Sequence, residues 1–194
     1  MPLSTSSRSV LGDAFFPGTR FTKSALLAMG GSLALAISAK VQVPFWPIPI
    51  TMQSMMALLI GTIFGARMGA LTILAYLAEG LVGLPVFAGM AAGPAYLAGP
   101  TGGYLLGFLL SAVFAGWAAE RGWARDLPRT LLVMLLGHVL IFAPGLFWLV
   151  VLLGWSKAVA FGIAPFLLAT LLKSSLGAAG VSAMWKMAPG SRAD

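Results

Sequence analysis

The sequence predicts an all-α integral membrane protein of six transmembrane helices with both termini in the cytoplasm. Three observations predict it. Of the 194 residues, 59% are hydrophobic and only 9% are charged, whereas soluble domains carry about 25% charged residues. Apolar stretches approaching the roughly 20 residues that span a bilayer recur between loops rich in Pro, Gly and charge. The basic residues, finally, gather on one side of those stretches. A mean hydropathy of +0.96 agrees.

The spans follow in order. Residues 21–39 form the first, closed by Lys40 and the proline-rich run Val43-Pro44-Phe45-Trp46-Pro47-Ile48-Pro49. Residues 51–64 form a short second span, which leads through Gly65-Ala66-Arg67 into a third at 68–84. An irregular stretch at 85–100 precedes the fourth span, 101–119, and a charged turn at 120–129 precedes the fifth, 130–153. The sixth lies between 161 and 187. The chain divides into a polar cytoplasmic tail (1–20), a transmembrane domain (21–187) and a second short tail (188–194). The first tail has no apolar run of signal-peptide length, because Gly12 and Asp13 break it.

Six spans place both termini on one side. That side collects Arg8, Arg20, Lys23, Arg67, Arg121, Arg125, Arg129, Lys186 and Arg192, against Lys40 and Lys157 on the other. Cytoplasmic loops carry the excess of Lys and Arg, so the richer side is cytoplasmic. The net charge of +7 therefore reads as topology and not as a nucleic-acid surface. The two most irregular loops, 41–50 and 85–100, then face outward. Irregular backbone at membrane depth is tolerated only where protein buries it or it lines a cavity, which suggests a ligand chamber open to the outside.

Several chemistries are excluded. With no cysteine and one histidine, the chain offers no thiolate site and no histidine pair for a metal. No GxxxxGK[ST] loop occurs, so there is no recognisable ATP site. The chain reads as a protein without a catalytic constellation of its own and without a cofactor.

Lys173 is the most informative residue. It stands eight positions after Pro165, roughly 12 Å into the sixth helix at 1.5 Å per residue. A lysine near a helix centre costs about 2.5–3.5 kcal/mol on insertion scales, and something should offset that cost. Three partners come into question: the interface by snorkelling, Glu79 in the third span, or a carboxylate on a substrate. Intramembrane charges are functional by default, which favours the substrate. Glu79 either holds Lys173 in the empty chamber or reaches the headgroups.

Gly99-Pro100-Thr101-Gly102-Gly103-Tyr104 runs into the fourth span. Thr101 is a candidate N-cap, followed by backbone N–H groups without intrahelical partners. Glycines there admit a ligand close to the backbone; alternatively, they serve tight helix packing. Phe45, Trp46, Phe87, Tyr96 and Tyr104 crowd the outer loops, as a membrane belt or as a binding wall. His138 reads as a helix–helix hydrogen-bond partner. Ser24, Ala28, Ser32 and Ala36 make a stripe of small residues on which another helix can pack, from within the chain or from another subunit.

Three of these segments, in order, carry a family resemblance: Val43-Pro44-Phe45-Trp46-Pro47-Ile48-Pro49-Ile50-Thr51-Met52-Gln53, Gly83-Leu84-Pro85-Val86-Phe87-Ala88-Gly89, and Gly99-Pro100-Thr101-Gly102-Gly103-Tyr104. The chain resembles the BioY family, the biotin-specific substrate-binding components of energy-coupling factor transporters. The resemblance implies a six-helix bundle in the bacterial inner membrane that captures biotin from outside. The implied partners are biotin, a transmembrane coupling subunit driven by two ATPase subunits, and membrane lipid, with no nucleic acid. Some relatives occur without dedicated ATPases.

On this resemblance Lys173 pairs with the biotin carboxylate or another polar group. Thr101, Gly102 and Tyr104, together with Phe87 and Gly93, line the bicyclic head, with Gln53 and Trp46 near the lid. The small-residue face of the first helix, Ser24, Ala28, Ser32 and Ala36, looks like the family's docking surface. One position departs: the family often has an aspartate three residues before the lysine, where this chain has Thr170. A threonine hydroxyl hydrogen-bonds but cannot balance a lysine charge. The alternatives are a subunit for another vitamin or a membrane assembly subunit without a ligand.

Overall fold

The computed structural model describes residues 10–11 and 20–187. The two expected tails, with Arg8, Asp13 and Arg192, otherwise lie outside the described residues. Val10 and Leu11 are buried in the core, so part of the first tail packs on the bundle.

Eight helices follow in chain order among the described residues: α1 (Arg20–Lys40), α2 (Gln53–Phe64), α3 (Ala66–Leu81), α4 (Pro94–Ala98), α5 (Gly102–Glu120), α6 (Leu127–Leu153), α7 (Trp155–Gly162) and α8 (Leu167–Met187). Their ends have local causes. Gly65, at φ +85°, turns the chain between α2 and α3, and Gly154, at φ +81°, does the same between α6 and α7; glycine alone enters this region without steric cost. Asp126 caps α6 by accepting the Arg129 N–H at 2.9 Å. Glu120 accepts the Ala66 N–H at 2.8 Å, so the end of α5 caps the start of α3.

Three helical segments are long and apolar enough to cross a membrane: Gly102–Glu120, Leu127–Leu153 and Trp155–Met187. Of the other apolar elements, α2 and α3 are shorter than the sequence suggests, while α1 runs one residue beyond each expected end. The expected span from residue 51 begins as helix only at Gln53, because Ile50–Thr51 (β2) pairs antiparallel with Gln42–Val43 (β1), Thr51 opposite Gln42. This small ribbon departs from the all-helical expectation. The sixth span is broken near its start, where Pro165 sits in a 3-10 turn, Ala164–Phe166, before α8; proline cannot donate to a preceding helical turn.

Helix α5 is the hub, packed by α2, α3 and α6. Small residues let backbones approach closely where lipid provides no hydrophobic drive. A Cβ added at Gly107 would fall 2.6 Å from the Ile141 carbonyl oxygen, and one at Gly61 or Gly116 would strike the Ala112 carbonyl or the Ala66 backbone. The outer surface is apolar instead: Met29, Leu33 and Ile37 on α1, Phe147 on α6 and Leu168 and Leu172 on α8 are all exposed. Such a surface suits lipid and not water.

The bundle has two distinct ends. One gathers Gly65 and Ala66 against Glu120, with Arg125 over the Trp185 ring. The other gathers the ribbon, the 85–93 loop, α4 and the end of α1, where Lys40 bonds to the 85–89 backbone.

The stripe on α1 turns toward the bundle. Ser32 is buried, 1% exposed, and its hydroxyl donates to the Glu79 carboxylate on α3. Ser24, Ala28 and Ala36 are half-buried. Ser32 is thus an internal packing residue and not part of an outer docking row, because a hydroxyl at this depth finds its partner inside. Glu79 is held by Ser32, not by Lys173.

Candidate functional site

A partly open cavity lies under the ribbon and the 85–93 loop, between α2, α5, α6 and α8. Its walls are mostly apolar: Ile48, Pro49, Ala88, Leu105, Phe108, Ile141, Phe142 and Phe166. Its polar groups are few: Thr51, Gln53, Ser54, Tyr96, Thr101, Tyr104 and Lys173. An apolar chamber with a few converging polar groups is the usual form of a small-molecule site.

Lys173 is 6% exposed. Its ammonium donates to the Thr51 carbonyl at 3.1 Å and to the Ser54 hydroxyl at 2.9 Å. Among the described residues no carboxylate lies within ion-pair distance of it. It therefore neither snorkels to the interface nor pairs with Glu79. An ammonium has three donors, so the two protein bonds leave one for a ligand.

Gln53 is 4% exposed and donates to the Tyr76 hydroxyl at 2.6 Å. Tyr76 passes the link on, donating to the Val86 carbonyl at 2.9 Å. Tyr104 fills the gap beside Gly145, whose missing side chain would strike its ring, and donates to the Gly162 carbonyl at 2.9 Å. Both α6 and α7 are thereby fixed against the cavity wall. Burial pushes the Tyr96 phenol above its ordinary range, so it stays a neutral donor.

Of the residues expected to meet a ligand, Lys173, Gln53, Thr101 and Tyr104 line this cavity. The others sit elsewhere. Phe87 is fully buried behind it, stacked 4.9 Å from Tyr96 and edge-on to Tyr76 at 5.5 Å. Trp46 is 76% exposed and meets Phe161 edge-on at 6.1 Å. Gly93, at φ +86°, donates its N–H to the Gly80 carbonyl at 2.7 Å and shapes the start of α4. Thr170 is outside the cavity lining, and its buried hydroxyl has no hydrogen-bond partner.

Thr101 stands at the N-cap position of α5 without capping it. Its backbone is helical, φ −85° and ψ −13°, whereas a capping side chain needs an extended backbone to reach back. The Gly102 N–H is taken by the Gly99 carbonyl at 3.0 Å. A side chain at Gly102 would strike the Leu97 carbonyl, and one at Gly103 the Pro144 carbonyl. The two glycines therefore serve close packing, the second of the readings the sequence left open.

Of the polar lining, Thr51 and Ser54 escape a sequence reading, as do the apolar walls Leu105, Phe108, Ile141, Phe142 and Phe166. The signal for the first two was adjacency, since Thr51 lies inside the motif that ends at Gln53 and Ser54 follows it directly. A wider hollow, lined by Gln42, Pro44, Phe45, Pro47, Gly89, Ala95, Gly99 and Pro100, shares Pro49, Ala88, Tyr96 and Thr101 with the inner cavity. It adjoins the inner chamber at the end of the bundle that carries the ribbon.

Comparison with known proteins gives one answer from sequence and fold. A family profile described as the BioY family matches residues 7–190. The probable biotin transporter BioY of Pyrococcus horikoshii is 35% identical over 140 residues, covering 72% of this chain and 82% of the relative. The biotin transporter BioY2 of Lactococcus lactis is 32% identical over 160 residues, covering 81% and 87%. In fold, the chain is similar to the crystal structure of the S-component for biotin from an ECF-type ABC transporter, with a TM-score of 0.73, 22% identity, and 88% and 95% of the two chains covered. The chain belongs to the BioY family.

Proposed function

We propose that this chain is the substrate-binding membrane subunit of a biotin uptake system. The carrying observation is Lys173: a buried ammonium at a cavity wall, bonded to the Thr51 carbonyl and the Ser54 hydroxyl, with no carboxylate beside it among the described residues. A monoanionic ligand supplies the missing charge. Hydrogen bonds to charged groups contribute roughly 1.5–3 kcal/mol, a large share of a small ligand's affinity.

Biotin matches the rest of the chamber. Its valerate carboxylate meets Lys173, and its valeryl chain and thioether ring lie against Phe108, Ile141, Phe142 and Phe166. Gln53, Tyr96, Thr101 and Tyr104 provide donors and acceptors for the ureido ring. Phe87 acts behind this wall by stacking on Tyr96. The step is non-covalent capture; the chain itself makes and breaks no bond. Relatives named as biotin transporters support the choice of ligand.

The topology follows from the charge asymmetry: six spans, residues 21–187, in the bacterial inner membrane with both tails cytoplasmic. The separation of the basic end from the cavity end supports it. The fold likeness to an ECF S-component supports a transmembrane coupling subunit and ATPase subunits as partners. Docking through α1 would use Ala28 and Ala36 together with the exposed row Met29, Leu33 and Ile37, since Ser32 is committed to Glu79.

Equilibrium binding of labelled biotin to the purified chain, without any partner, tests the function. Saturable binding at one site is expected. Its absence, with the protein folded, would leave an assembly subunit as the better reading; tighter binding of another vitamin would replace the substrate.

A further inference from the structure

His138 has no part in the site as described so far, yet it sits directly behind it. It is 1% exposed, on α6, between α2 and α8. Its Nδ1 lies 2.9 Å from the Met134 carbonyl and 3.1 Å from the Ser174 hydroxyl, and its Nε2 lies 3.3 Å from the Ser54 hydroxyl. The Ser54 oxygen in turn accepts from Lys173 at 2.9 Å.

These partners orient the network. A carbonyl only accepts, so the Met134 contact assigns the ring proton to Nδ1 and leaves Nε2 with its lone pair. An imidazolium here would add a second positive charge behind Lys173 in a medium that screens poorly. Nε2 therefore takes the single proton of Ser54. With that proton committed, Ser54 has only lone pairs to offer Lys173. Two of the three ammonium N–H groups are then fixed, one on Ser54 and one on the Thr51 carbonyl. Tetrahedral geometry fixes the direction of the third.

We propose that His138 is a positioning residue which, by locking Ser54 as an acceptor, aims the remaining N–H of Lys173 into the cavity and gives the site its preference for an anionic ligand. Without the imidazole, the Ser54 proton is free to turn toward the cavity and the ammonium loses a fixed direction. Packing around His138 is unrelated to ligand charge, whereas this role is not. The inference rests on the reading of Lys173 as the carboxylate anchor.

The test compares affinity for biotin with affinity for its neutral primary amide, in the full chain in detergent. A net hydrogen bond corresponds to about two- to tenfold in affinity. His138→Phe keeps a ring and removes both nitrogens; it should cut the biotin-to-amide preference about fivefold. Ser54→Ala should give the same loss, and the double variant no more, because both act on one path. His138→Gln presents an acceptor and a donor at similar reach and should regain most of the preference.

Equal weakening of both ligands by His138→Phe would make His138 a packing residue and overturn the proposal. Should that variant fail to fold, Ser54→Ala decides: an unchanged preference overturns the proposal. Lys173→Met separates the two levels. If it abolishes the preference while the Ser54 and His138 variants leave it intact, only the positioning role fails. If it leaves the preference intact, the anchoring role fails and the positioning role with it.

Discussion

The Lys40 ammonium donates to the Phe87 carbonyl at 2.8 Å, across the end of the bundle that carries the ribbon. The same ammonium reaches the Pro85 carbonyl at 2.6 Å and the Gly89 carbonyl. All three donors of one lysine are thus spent on alternate carbonyls of a single loop. That loop carries Phe87, stacked on Tyr96, and Ala88, which lines the cavity. Lys40 ends α1 and so ties the first helix to the roof of the site.

Lys40→Met should therefore free the roof without touching the ligand. Three charge-assisted bonds are lost, but exposed groups regain water, so the net effect is about 1–2 kcal/mol. Biotin dissociation, followed by stopped flow, should accelerate about tenfold for each 1.4 kcal/mol lost, with the association rate little changed. An unchanged dissociation rate would remove Lys40 from the roof.

Packing at the hub gives a second expectation. Gly107→Ala would drive a methyl to 2.6 Å from the Ile141 carbonyl oxygen and 2.7 Å from its Cα. Backbone cannot swing aside, so α5 and α6 must separate, at about 1–3 kcal/mol. Gly30, with nothing within 4 Å of an added Cβ, is the control: Gly30→Ala should keep or raise stability by up to about 1 kcal/mol through helix propensity. Melting temperatures in detergent check both.

Where the long helices lie was legible in the sequence, because apolar runs and the Pro and Gly that interrupt them are local signals; the short α4 and α7, which fall in stretches expected to be irregular or to connect spans, were not. Lys173 was legible for a related reason: a charge inside an apolar run needs no contact map to stand out. Gln53, Thr101 and Tyr104 came through the motifs that carry the family resemblance. The rest depended on distant contacts. Ser54 meets Lys173 across 119 positions and His138 across 84, and no spacing rule reports such a pair. Trp46 turned outward to Phe161 and Gly102 inward to Leu97 because loop direction is set by what the loop packs on. The stripe on α1 gave the right periodicity but not its facing, which Glu79 on α3 decides through Ser32.

That facing separates two kinds of substitution on α1. Ser32→Ala removes a buried hydrogen bond to a carboxylate and should lower stability by about 1–3 kcal/mol, with assembly little affected. Ala28→Trp, at the half-buried edge, should block close approach of a partner helix. Co-purification with the coupling subunit should then fail while biotin binding persists. Lost biotin binding in the Ala28 variant would mark the whole stripe as internal.

The charge asymmetry predicts accessibility. The chain has no cysteine of its own, so single introduced thiols report cleanly. A cysteine at Ala91, in the roof loop, should react with an impermeant reagent in intact cells and be shielded by biotin. One at Arg125 should react only after the membrane is opened. External labelling at Arg125 would contradict the six-span topology.

Whether Lys173 meets the carboxylate of biotin is decided by the affinities of wild type and Lys173→Met for biotin and for biotin amide, by titration calorimetry. Methionine keeps much of the side-chain bulk and removes the charge. Biotin should bind the variant about ten- to a hundredfold more weakly, from ~1.4 kcal/mol per tenfold, while the amide loses far less. Equal losses for the two ligands, or none for either, would contradict that contact.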